Sequence, residues 1–233
     1  MRLQVFLSHS GVCSRRRALE LIQSGQVTVN GSVIREPSHP VDPRKDTVVF
    51  AKRRISLKEK IYILLNKPKG VTTTKKDRFA ERTVMDILPA GYKHLFPVGR
   101  LDKDTEGLLI MTNDGDFSYK LTHPSFAINK VYVAKLDRGL ADDHRIRLES
   151  GVKLEDGLTA PCRITNLTEK EVKITIHEGR KRQIRRMFAL FKYRVSGLKR
   201  VSVGSLDLGD LSAGRWREIS DKELRELNLL ISK

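Results

Sequence analysis

Nineteen residues from Val98 to Asp116, VGRLDKDTEGLLIMTNDGD, constrain this chain more than any other stretch. Leu108 to Met111 is an unbroken apolar run of strand length, and Asn113-Asp114-Gly115 closes it with a strong turn signal. Asp102 follows Arg100 and Leu101 at the start of this core strand, with Lys103, Asp104, Thr105 and Glu106 forming a polar loop between them. A half-buried acid at that place needs a reason. Residue types leave three open: a salt bridge to Arg100 on a solvated loop, a set of Mg²⁺ ligands, or a nucleophile or base. Spacing does not choose among them.

The charge narrows the partner. With 45 Lys+Arg against 28 Asp+Glu the chain carries a formal +17, an excess that points to a polyanion. Its 39% apolar residues exclude a merely disordered basic tail. Nucleic acid is the first candidate and an anionic membrane surface the second. No apolar run approaches the ~20 residues of a spanning helix. The opening MRLQVFLSHSG is broken by Gln4, Ser8 and His9, unlike a signal-peptide core. We therefore expect no membrane partner and a cytoplasmic location. Cys13 and Cys162 lie far apart without metal-ligand spacing and the histidines form no ligand pair, so no metal site is expected.

Leu3, Phe6 and Leu7 recur at helical spacing up to Gly11. Ser14 caps a second helix from Arg15 to Ser24, and the segments 27–29 and 32–34 flank an Asn30-Gly31 turn. Arg15, Arg16 and Arg17 crowd the start of the second helix against its dipole, which favours phosphate binding over a solvated face. A strand follows at 47–50. AKRRISLKEK, at 51–60, is charged without a period, and the domain boundary is placed there. Beyond it, strands are expected at 61–65, 108–111, 128–136, 160–167 and 171–177, and helices at 84–88, 117–121, 141–149, 178–192 and 221–231. In the fourth of these helices Ile184, Met187, Phe188 and Phe191 form a core stripe. From Gly179 to Arg200 there are nine basic residues and no acidic one.

The stretch RLQVFLSHSGVCSRRRALELIQSGQVTVNG resembles an S4 domain, a small RNA-binding module. The string GRLDKDTEGLLIMTNDG, the N-K-P-x-G element at 66–70, NKVYV at 129–133 and EGRKRQIRRM at 178–187 together resemble the pseudouridine synthases of the small-ribosomal-subunit type. The resemblance implies an α+β chain with an S4-like RNA-binding domain at 1–60 and a catalytic domain at 61–233 built on a mixed, largely antiparallel sheet. It makes Asp102 the catalytic acid, Tyr132 the aromatic that packs on the target base, and Arg185 the basic residue that pairs with Asp102. Arg100 is expected to help extrude the uridine. Arg180, Lys181, Arg182 and Arg186 are expected to share phosphate contacts with Arg15, Arg16 and Arg17.

Pseudouridine formation breaks the C1′–N1 bond, turns the uracil and rebuilds the link through C5. No atom enters or leaves overall, so the chemistry requires neither cofactor nor metal. An arginine within ~4 to 6 Å keeps a carboxylate ionised against burial, and the Tyr132 hydroxyl is placed to relay the C5 proton. The implied partner is ribosomal RNA or a pre-ribosomal particle, met by a monomer. Arg182-Gln183 in place of His-Gln, and GVKLEDG at 151–157, favour 23S over 16S RNA. Two other functions remain: a non-catalytic rRNA-binding assembly factor, and a nuclease that holds Mg²⁺ on Asp102, Asp104 and Glu106.

Overall fold

The computed structural model describes residues 1–75 and 79–232. It divides into two compact units, Met1–Ile61 with Asn113–Gly115, and Tyr62–Thr112 with Asp116–Lys233.

In the first unit α1 (Leu3–His9) and α2 (Arg15–Gln23) accompany a four-stranded sheet of β1 (Val27–Val29), β2 (Ser32–Ile34), β3 (Val48–Phe50) and β4 (Arg53–Ile55), in the order β2-β1-β3-β4. Leu3, Phe6 and Leu7 of α1, Ala18, Leu21 and Ile22 of α2, and Val27, Val29 and Val48 of the sheet close into one core. Ser14 caps α2 by accepting a hydrogen bond from the Arg17 amide. The 51–60 stretch, charged and without a period, contains β4. Ala51 and Lys52 take left-handed φ values of 48° and 61°, turning the chain back so that β4 pairs with β3. Arg53 and Arg54 are exposed and only Ile55 packs on the core, so this short edge strand has too few apolar positions to display a period.

The second unit holds β5 (Tyr62–Lys67), β6 (Phe96–Pro97), β7 (Glu106–Thr112), α3 (Gly115–Thr122), β8 (Lys130–Leu136), α4 (Asp142–Glu149), β9 (Lys153–Leu154), β10 (Gly157–Leu158), β11 (Arg163–Asn166), β12 (Glu171–Ile176), α5 (Gln183–Leu190), β13 (Val195–Val203), β14 (Leu206–Asp207), β15 (Trp216–Glu218) and α6 (Asp221–Leu230). Its main sheet runs β11-β12-β8-β13-β7-β5-β15, with β14 on β13 and β6 on β7. The pairing of β13 with β7 is parallel and the others are antiparallel. Leu108 to Met111 are buried, as their unbroken apolar run requires. Leu64, Leu108 and Ile110 meet Phe117 and Leu121 of α3 and Leu227 of α6 in one core.

Four local differences from the sequence reading have physical causes. The helix expected from 178 starts only at Gln183, because Arg182 at φ 50° is left-handed and breaks any helical run from Glu178. The helix expected at 84–88 is a single 3₁₀ turn, Val84–Asp86, closed by reciprocal bonds between Thr83 and Asp86. The strand expected from 160 begins at Arg163, after Pro161. Strand β13 was not anticipated at all, since Lys199 and Arg200 interrupt its apolar pattern.

Gly107 sets how closely β13 approaches β7. Its φ is 107°, and a Cβ there would lie 2.2 Å from the Arg200 carbonyl oxygen. Only glycine lets the two backbones meet at this point, which lies five residues beyond Asp102.

Candidate active site

Asp102 lies half-buried on the loop that runs into β7, and the NKPKG segment forms the support beneath that loop. Thr73 Oγ1 donates to Leu101 O at 2.7 Å, and the Gly70 amide donates to Lys103 O at 2.8 Å. The Lys67 side chain is wholly buried, and its Nζ donates to Pro68 O at 3.0 Å and Val71 O at 2.8 Å and reaches Lys103 O at 3.5 Å. Burial pulls its pKa down to about 8, against the opposing pull of the Asp104, Asp102 and Glu106 charges.

Arg185 does not pair with Asp102, contrary to the expectation. Its Nε lies 3.3 Å from Asp104 Oδ2 in an ion pair without hydrogen-bond geometry, while Nη2 donates to Asp104 O at 3.1 Å and Nη1 to Val195 O at 2.6 Å. Arg182 grips the same carboxylate with two bonds of 3.0 Å each. The left-handed Arg182 just before α5 and Arg185 in its first turn thus converge on one acid. Burial pushes the Asp104 carboxyl up, but the Arg182 hydrogen bonds and the charges of Arg185 and Arg182 prevail and hold it below the usual carboxylate range. The Asp102 carboxylate itself makes no hydrogen bond or ion pair among the described residues.

A cavity of about 450 Å³ opens beside it, walled by Arg100, Asp102, Tyr132, Lys181, Arg182 and Leu198. Tyr132 comes from β8 and stands opposite Arg200 of β13 in the strand register. Arg200 Nε donates to Leu108 O at 2.8 Å, Nη1 lies 3.5 Å from the Tyr132 hydroxyl, and the guanidinium carbon is 6.0 Å from the centre of the tyrosine ring. A carboxylate, an aromatic face and a basic rim thus share one concave space.

The other expected RNA contacts divide. Arg180 lines the cavity, but its guanidinium donates to Glu178 Oε2 at 3.2 Å, Asp156 O at 3.2 Å, Gly157 O at 3.0 Å and Leu158 O at 2.5 Å, clamping the β9–β10 hairpin. Arg186 stands off the cavity and grips Asp156 with bonds of 3.0 and 2.9 Å. Lys181 is exposed and has no ion pair among the described residues. Arg100 is exposed on the rim. Arg15, Arg16 and Arg17 are exposed at the start of α2 in the first unit, where Arg17 ion-pairs with Glu20 at 2.5 Å.

Sequence reasoning missed Arg200. No local signal could have found it, because in VSGLKRVSV Lys199 and Arg200 interrupt the apolar residues and Arg200 shares its face with Ser196, Leu198 and Ser202. No group of three or more His, Cys, Asp or Glu fit to hold a metal lies among the described residues. No described helix is long and apolar enough to cross a membrane.

Residues 61–190 match the RNA pseudouridylate synthase family, and residues 1–48 match the S4 domain. The chain is 41% identical to the ribosomal large subunit pseudouridine synthase B of Bacillus subtilis, over 98% of this chain and 96% of that protein. It is 39% identical to an uncharacterized RNA pseudouridine synthase of Aquifex aeolicus, over 97% and 93% of the two chains. A solved structure described as a pseudouridylate synthase superposes with a TM-score of 0.72 at 28% identity, covering 97% of this chain and 99% of that one.

Proposed function

The chain belongs to the RNA pseudouridylate synthase family, and from that premise we propose that it converts a uridine of large-subunit ribosomal RNA to pseudouridine through Asp102. The observation that carries this reading is the placement of the Asp102 carboxylate, which makes no hydrogen bond or ion pair among the described residues, in the same cavity wall as Tyr132. A carboxylate bound tightly by arginine would be a poor nucleophile, so an unpartnered acid beside a bound one assigns the chemistry to Asp102 and the scaffolding to Asp104. Tyr132 offers a flat face to the extruded uracil. Arg185 acts at one remove, fixing the loop through Asp104, and Arg100 stands at the mouth where a base must leave its stack.

The substrate follows from likeness and charge. The Bacillus subtilis relative is named for the large ribosomal subunit and spans almost the whole chain, and the +17 charge suits a large polyanion. Lys181 and Arg15 to Arg17 are the positioning contacts for phosphate. Arg180, Arg182 and Arg186 contribute their charge to the field, although their guanidinium groups already hold acidic or carbonyl partners. The enzyme works as a monomer in the cytoplasm, on RNA or an assembling particle. The reaction is an isomerisation balanced in itself, so no cofactor is called for. A nuclease centred on Asp102, Asp104 and Glu106 is disfavoured because Asp104 is bound by two arginines.

The test is tritium release from C5-labelled uridine in large-subunit ribosomal RNA, wild type beside Asp102→Asn, in the presence of EDTA. Release by wild type alone, with RNA binding kept by both and RNA length unchanged, is expected. Turnover by the Asn variant removes Asp102 from the chemistry. No release by wild type leaves a binding protein, and metal-dependent shortening of the RNA restores the nuclease.

A further inference from the structure

Behind Tyr132 lies a second cavity of about 210 Å³, walled by Tyr132, Lys130, Arg200, Arg100 and Glu178. Tyr132, Arg100, Gly99 and Gly179 line both cavities, so the tyrosine stands at the boundary of the two spaces. Lys130 and Tyr132 are two apart on β8 and therefore share a face. Arg200 is the cross-strand neighbour of Tyr132.

The charge in this inner space is one-sided. Arg200 is 4% exposed and has no carboxylate partner among the described residues. A guanidinium has five N–H donors, and here one meets Leu108 O and one the Tyr132 oxygen, leaving the rest without an acceptor among the described residues. Among the described residues, Lys130 Nζ donates only to the main-chain oxygens of Ile128 and His177, at 3.2 and 3.3 Å. Burial, and then the charge of Arg200, bring its pKa down to about 8. Glu178 does not neutralise them. Its Oε1 accepts from the Ala160 amide and from Gln183 Nε2, and its Oε2 from Arg180 Nε. A buried and a half-buried cation without an anion among the described residues are costly where water is largely excluded, and their arrangement becomes favourable once a negative charge enters the cavity.

We infer that Lys130 and Arg200 form an anion subsite for the uracil ring at the moment its bond to the sugar is broken. This rests on the synthase reading and deepens it. When the C1′–N1 bond breaks, its electron pair leaves with the ring, and the charge spreads over N1, O2 and O4. Both carbonyl oxygens accept N–H donors. The ring then turns, C5 bonds to C1′ and displaces the Asp102 carboxylate that took the place of N1 there, the C5 proton departs and N1 takes one up, so the balance closes without another reactant. The charge is absent from bound uridine and from the product, so donors fixed beforehand stabilise the detached ring more than either end state. Tyr132, at the boundary of both cavities, is the face along which the ring turns.

The test uses leaving-group electronics. Fluorine at C5 makes uracil a weaker base, so a 5-fluorouracil anion needs less help from the protein than a uracil anion. Full-length wild type, Arg200→Gln and Lys130→Gln are compared under single turnover on two transcripts of large-subunit ribosomal RNA, one with uridine and one with 5-fluorouridine. Loss of the N-glycoside is followed by nucleoside chromatography. Arg200→Gln is expected to slow uridine conversion ~100-fold, the scale for removing one preorganised donor, with a loss at least tenfold smaller on 5-fluorouridine and RNA affinity unchanged. Lys130→Gln is expected to show the same asymmetry and serves as the readout if Arg200→Gln does not fold. Equal losses on the two transcripts overturn the subsite and leave the synthase reading intact. Failure of the wild type to convert either transcript sinks the synthase reading itself.

Discussion

Arg185 is joined to Asp104 twice, its Nε 3.3 Å from the carboxylate and its Nη2 3.1 Å from the main-chain oxygen of the same residue. With Arg182 on the carboxylate as well, α5 holds the loop two residues beyond Asp102. Asp104→Asn weakens the two-pronged grip of Arg182 and removes the ion pair with Arg185. We expect a fall in the single-turnover rate of ~10- to 100-fold, the scale on which misplacing a reactive group acts, with little change in RNA affinity. Arg185→Lys keeps the charge but not the planar fork, and restores only part of the rate of wild type. A loss confined to affinity would make Asp104 and its two arginines a binding cluster.

Gly107→Ala tests the close approach of β7 to β13. The added carbon would stand 2.2 Å from Arg200 O and 2.7 Å from Arg200 N, on a backbone with φ of 107°. Neither main chain can yield locally, so the loss of stability in urea should exceed ~3 kcal/mol, in the range of severe core lesions. A loss below ~1 kcal/mol would show that the strands stand further apart.

Much of the frame was legible in the residues. The 108–111 run is buried as read, and α2 begins at the Ser14 cap and stops near Gly25 because those signals are local. What escaped reading depends on long-range pairing. β13 is stabilised by β8 and β7, whose paired residues lie 59 or more positions away, and no local pattern announces that Arg200 is tolerated inside. The Arg185–Asp102 pair was inferred from a motif, and the motif says nothing of the left-handed Arg182 that turns α5 towards Asp104 instead. The NKPKG string was noticed, but its role as the support of the Asp102 loop emerges only from the bonds of Lys67, Gly70 and Thr73.

At the start of α6, Glu223 gives a stability that depends on pH. Two hydrogen bonds from Arg217, at 2.8 and 2.6 Å, outweigh burial and, with the Ser220 cap, bring its pKa from 4.5 to about 2. A folded pKa below the unfolded one stabilises the fold fully above about 4.5, and the contribution is lost as pH falls towards 2. Glu223→Gln retains a capping side chain and removes the charge. Thermal unfolding should place the variant ~1 kcal/mol below wild type at pH 7, a value reduced for partial exposure, and the gap should close by pH 2. A gap that does not change with pH would assign the effect to packing.

Arg15, Arg16 and Arg17 are exposed together in the first turn of α2, where the helix dipole already draws phosphate. The ion pair of Arg17 with Glu20 is exposed on both sides, with 60% and 59% of the two side chains accessible, so it yields readily to a phosphate. Changing all three to Ala should lower the slope of log affinity against log salt by about 2, near 0.7 for each phosphate contact on single-stranded RNA. Removing three cations from a helix start also relieves their opposition to the dipole, so thermal stability should hold or rise by a few tenths of a kcal/mol. That combination separates a phosphate contact from a structural role, since a structural role would lower stability and leave the slope where it was. Filter binding to ribosomal RNA across a salt series, with a melting curve for each protein, measures both. An unaltered slope would take the first unit out of the RNA contact surface and leave recognition to the catalytic unit.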